Sequence, residues 1–222
     1  CVKEYDLVMD EEISIIDSKT RNEKIKNFLL KNKILIICIV AGIVLSFLAF
    51  YTLQIYTDGQ KEKISNRYNS IIINYKNKGD SNTSLLMKEI VEEKDSTYSP
   101  LALYFLIDNN LIKDRQEING LFDILVNKVD LDQEIKNLII YKKALYNSDF
   151  VGENELIEML NPIINSSSVW KSHALYLIAE YFYSKDEKQK SKEFFSLIID
   201  EKNANQDILV EAQKRLSRDL SE

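Results

Sequence analysis

The chain has 222 residues, 45% of them hydrophobic, with 29 Lys/Arg against 35 Asp/Glu. Five Gly and two Pro are too few for a turn-rich β fold, and apolar–polar alternation is scarce. Residues 1–56 are neutral, with seven basic and seven acidic side chains, so 22 basic against 28 acidic in 57–222 carry the whole net charge of −6. That balance excludes the basic footprint that nucleic acid requires, so no nucleic-acid partner is expected.

Residues 1–33 read as a short polar N-terminal tail, on the cytoplasmic side. Met9, opening "MDEEISIIDSKT", reads as the natural start, with 1–8 as upstream sequence or a fragment edge. The only cysteines are Cys1 and Cys38. Cys38 lies within an apolar run, so the rest of the chain has no thiol to pair. That run, Ile34 to Tyr56, is "ILIICIVAGIVLSFLAFYTLQIY", uncharged throughout. At 1.5 Å per residue it makes about 35 Å of helix, enough to cross a hydrocarbon core of about 30 Å. It lacks the short core and small-residue cleavage site of a signal peptide, so 34–56 is expected to span the membrane and contact lipid. Tyr51 and Tyr56 lie toward one end, where amphipathic rings favour the interface. Within it, Gly42 and Ser46 form a small-xxx-small pair that lets a second membrane helix come close. Lys19, Arg21, Lys24, Lys26, Lys31 and Lys33 precede the span, whereas only Lys61, Lys63 and Arg67 follow at similar distance. The excess predicts an N-terminus in the cytoplasm and a C-terminal domain outside it, which in a two-membrane bacterium is the periplasm.

Past Asp58-Gly59 the pattern becomes amphipathic. "QKEKISNRYNSIIINYKNKG" carries Ile64, Tyr68, Ile71, Ile72 and Tyr75 at helical spacing and stops at Gly79. "SNTSLLMKEIVEEK" follows, and the two form an expected juxtamembrane hairpin, 57–97. From residue 98, Pro100 suits a first helical turn before "LALYFLIDNN". Then come "QEINGLFDILVNK", "DQEIKNLIIYKKALYN", "ENELIEMLNPIIN", "SSVWKSHALYLIAEYFYS", "EKQKSKEFFSLIIDE" and "QDILVEAQKRLSRDL". Short polar turns between such segments predict antiparallel helical pairs.

The densest stretch, "WKSHALYLIAEYFYSKDEKQKSKEFFSLIID", holds the only Trp and only His. Leu175, Ile178, Ala179 and Phe182 form the inner stripe of one helix; Ser191, Phe195 and Ile198 form that of the next. The offsets Ala179–Ser191–Phe195 resemble those of the tetratricopeptide repeat, where small residues permit close helix crossing. Ala144, Leu156 and Leu160 repeat both separations more loosely. These ten residues are the expected repeat-packing positions. The aromatic run therefore reads mainly as core, with Tyr181 and Tyr183 candidates for an outward surface. Trp170 and His173 share a face, but a lone His without a companion ligand or nucleophile is a poor metal or catalytic centre. "KDEKQKSK" and "VEEKD" read as solvated charge runs. Phosphate loops, HExxH, CxxC and GxSxG motifs are missing, so neither catalysis nor a cofactor is expected.

The expected fold class is all-α: one N-terminal transmembrane helix, then an α-solenoid of tetratricopeptide-like hairpins over 98–222. With "YSPLALYFLIDN", "HALYLIAEYFYSKDEKQKSKEFFSLI" and "EAQKRLSRDL" as its closest parts, this layout resembles the YfgM-like family, ancillary subunits of the SecYEG translocon. The resemblance implies an inner-membrane scaffold whose partners are SecYEG translocon subunits and periplasmic chaperones. The repeat domain is also similar to that of a periplasmic cell-division coordinator, which implies the alternative of an envelope structural or cell-division factor. Ser191 departs from the Ala that the repeat prefers.

Overall fold

The computed structural model describes residues 23–78, 82–218 and 220. The expected start at Met9, the flanking Lys19 and Arg21, and the stop at Gly79 lie outside them. Ten helices and no strand occur among the described residues. They are α1 (23–31), α2 (Lys33–Lys78), α3 (Thr83–Glu92), α4 (Tyr98–Asp108), α5 (Arg115–Lys128), α6 (Gln133–Asn147), α7 (Glu153–Ile164), α8 (Lys171–Ser184), α9 (Lys188–Asp200) and α10 (Gln206–Arg218). Two compact units divide between Gln60 and Lys61.

In the first unit, α2 is long and apolar enough to cross a membrane, with a mean hydropathy of 2.9 in its most apolar window. Every described side chain from Ile34 to Tyr56 is exposed. The sequence pattern suggests a new helix after Asp58-Gly59; α2 instead runs through both residues. One glycine lowers helix stability by about 1 kcal/mol relative to Ala, too little to stop a helix flanked by good formers and free of Pro.

In the second unit, each helix from α3 onward packs on the next, and α3 on α5, α6 on α8 and α8 on α10 add contacts one element apart. Three apolar clusters run along this stack. The first joins Ile71 of α2 to Met87, Leu103, Leu106, Phe122 and Ile139. It is continuous past residue 97, because α3 packs closely on α4 as well as facing the end of α2. Arg67 of α2 reaches Glu89 of α3 and Glu93 just past its end, which fixes their polar edge. The second cluster is shared by α6, α7 and α8, the third by α8, α9 and α10.

Local chemistry explains where the helices begin and end. Asp114 and Asp132 accept the backbone N–H of Gln116 and Glu134 at 2.9 Å each, capping α5 and α6. With so few glycines, the left-handed residues after α3, α4 and α8 are Lys94, Asn110 and Asp186, at φ of 59°, 51° and 62°. After α8, the N–H of Asp186 and Glu187 donate back to Tyr183 and Phe182, satisfying its last carbonyls.

Ser191, on α9, is fully buried and its hydroxyl has no hydrogen-bond partner. A buried unsatisfied polar atom costs about 1–3 kcal/mol. Ser191→Ala is therefore expected to raise stability by about 1 kcal/mol, read as a higher midpoint in urea; a lowered midpoint would show that the hydroxyl has a partner.

Candidate functional site

The buried stripe of α8 leaves a second stripe at its edge: His173, Tyr176, Glu180 and Tyr183, spaced three or four residues apart and all half-buried. Neighbouring elements extend it. From α6, Tyr141 stacks on Trp170, the residue before α8, with ring centroids 6.0 Å apart. His173 sits 5.0 Å from the Trp170 ring and 6.0 Å from the Tyr141 ring. From α10, Arg215 donates to Glu180 at 2.7 Å and places its guanidinium 4.9 Å from the Tyr183 ring centroid. Burial pushes the Tyr176 and Tyr141 hydroxyls above the usual phenol range. The result is a strip of rings and one ion pair that links α6, α8 and α10.

No family model, curated protein or solved structure matches the chain. The chemistry of the strip must be read from its own residues. Aromatic rings held half-exposed on packed helices suit contact with another polypeptide, since they bury much area at little entropic cost. A polar cleft of about 290 Å³ opens beside it, between the ends of α6 and α8, walled by Asp149, Glu180, Tyr181 and Lys185. Among the described residues, no group of three His, Cys, Asp or Glu side chains is arranged to hold a metal.

The packing positions divide between two clusters. Ala144, Leu156, Leu160, Ile178 and Phe182 lie in that of α6–α8; Leu175, Ala179, Phe195 and Ile198 lie in that of α8–α10. All are buried, as is Ser191. Of the two tyrosines singled out as outward candidates, Tyr183 lies under Arg215, whereas the Tyr181 hydroxyl donates to the Val151 carbonyl at 3.1 Å and braces α8 on the loop before α7. Tyr141, Tyr176, Glu180 and Arg215 were not visible as a set in the sequence. The spacing of 173, 176, 180 and 183 was the available signal. In the membrane-length part of α2, the Ser46 hydroxyl donates to the Gly42 carbonyl at 2.9 Å, so it is satisfied within its own helix.

The His173 environment gives a pH prediction. Nδ1 is buried without a partner, and burial holds the imidazole below its usual value of 6.5. The unfolded chain therefore takes up its proton first as pH falls. Stability should be flat above pH 6.5 with respect to this group and decline as pH drops through 6.5 toward the lower native value. His173→Gln should remove that part of the decline and leave stability at neutral pH nearly unchanged. Paired thermal melts across this range check it, and identical profiles for the two proteins would count against it.

Proposed function

We propose that the protein is a membrane-anchored scaffold, similar in role to the YfgM-like ancillary subunits of the SecYEG translocon. Its helical pairs act as tetratricopeptide-like units that hold a polypeptide partner. The observation that carries this reading is the half-exposed strip Tyr141–His173–Tyr176–Glu180–Tyr183–Arg215 on a stack of helices, in a chain that also has a membrane-length apolar helix. Support for the repeat comes from α6–α7 and α8–α9, consecutive pairs that bury Ala144, Leu156 and Leu160 in one and Ala179, Ser191 and Phe195 in the other. Stacked pairs of this kind present extended surfaces to peptides and partner helices. In this reading residues 34–56 anchor the chain in the inner membrane, the N-terminus is cytoplasmic, and the repeat domain works in the periplasm. It binds translocon subunits and periplasmic chaperones, and it needs no cofactor.

The test is photo-crosslinking in cells from positions 141, 176 and 183, followed by mass spectrometry. Capture of translocon subunits or envelope chaperones is expected. Capture of division-site proteins instead, with septal enrichment of a fluorescent fusion, would replace this reading with that of an envelope cell-division factor. A reporter active only outside the cytoplasm, fused after Glu222, should be active; an inactive fusion would reverse the orientation.

A further inference from the structure

The segment that leads into the apolar helix has a surface of its own. In α1, Ile25, Phe28 and Leu29 share one face at 100° per residue, with Lys24 and Lys31 along one border and Lys26 along the other. Phe28 is 63% exposed and Ile25 51% exposed. All three lysines and Lys33, the first residue of α2, are exposed, and no ion pair engages them among the described residues. An apolar stripe bordered by lysines is the pattern of a helix that meets a membrane surface, with its ammonium groups reaching toward the headgroups.

Distance decides whether these charges feel the lipid. A rise of 1.5 Å per residue puts Lys33 and Lys31 within about 5 Å of Ile34 along the axis, inside a headgroup layer about 5–7 Å thick. Lys26 and Lys24 follow at no more than about 12 and 15 Å, within roughly one Debye length beyond that layer. From this arrangement we infer that α1 and Lys33 form a binding site for the phosphate headgroups of anionic phospholipids, so that the anchor selects the lipid around it. A lipid surface fits better than another polyanion because the lysines border an apolar stripe and adjoin the membrane-length helix. The inference rests on the reading of 34–56 as a span, and not on any partner of the helical stack.

The experiment uses the full chain, purified and reconstituted into vesicles of phosphatidylcholine with a minor fraction of phosphatidylglycerol. Native mass spectrometry then counts the lipids that remain bound after gentle extraction. Phosphatidylglycerol should be retained in preference to phosphatidylcholine, more strongly at low salt. Joint Lys→Gln substitution at 24, 26, 31 and 33 should abolish the preference, with roughly a five-fold loss for each lysine at the surface. The matching Lys→Arg protein should keep it. Helicity measured on each variant controls for folding, which these exposed residues are not expected to affect. Equal retention of the two lipids, or a preference that survives the Gln substitutions, would overturn the site. So would displacement of the lipid by inorganic phosphate, which would mark a free-anion site instead. Release of the whole chain by alkaline carbonate would remove the span and this inference together, while crosslinks from the helical stack would be unaffected by it.

Discussion

Phe195→Ala should destabilise the helical stack by about 3–5 kcal/mol, more than a substitution at Ala179 or Ser191 would. Phe195 is fully buried on α9 and meets Tyr176 of α8 edge-on, with ring centroids 5.3 Å apart. It lies in the same cluster as Leu175, Ala179 and Ile198, and Ala212 of α10 closes that cluster. Truncation leaves a ring-sized void among residues already close-packed on three helices, so little collapse is possible. For a unit of this size each kcal/mol shifts the midpoint by about 2–4 °C, so a drop on the order of 10 °C is expected. Trp170, the only tryptophan, stands at the start of α8 and reports the transition by its fluorescence in detergent micelles. Leu197→Ala, two positions along the same helix and 50% exposed, is the control and should change stability by less than about 0.5 kcal/mol. Equal effects at 195 and 197 would mean that α9 does not bury the face assigned to it.

Much of the helical pattern is legible in the sequence because each segment carries its own amphipathic period. The capping Asp114 and Asp132 stand where N-cap residues belong. The stretches that escape the pattern have physical reasons. Gly59 looks like a boundary, yet α2 continues, because an isolated glycine is only a weak breaker. Lys94 and Asp186 end helices in the left-handed conformation, a place where the eye looks for Gly. Glu180 and Arg215 are 35 residues apart, and their contact depends on how α10 lies on α8. No period within either helix encodes that register. The pairing of Tyr141 with Trp170 is of the same kind, since it follows from α6 packing beside α8. The strip that supports the proposed function is thus a tertiary product, whereas the core beneath it follows from local spacing.

That difference makes Ala179 the more searching test of the core. Ala179 is fully buried on α8, in the cluster that joins Phe195 and Ile198 of α9 to Ala212 of α10. A small side chain there lets the helices approach, and Ala179→Leu adds three carbons where none fits without displacing a neighbour. Overpacking of this kind costs about 1–3 kcal/mol. The strain should appear first in α10, the last helix of the stack, where only Ala212 is fully buried and Ile208, Leu209 and Leu216 are partly so. Its loss would also separate Arg215 from Glu180 and open one end of the aromatic strip. Hydrogen exchange can follow this helix by helix. Amides of α10 should lose protection first, those of α8 and α9 next, and those of α3 to α5, in a separate cluster, should stay as they are. Uniform loss of protection would make the stack one cooperative block. Unchanged protection together with an unchanged midpoint would show that the space around Ala179 tolerates a larger side chain, and the close helix crossing assigned to it would fall.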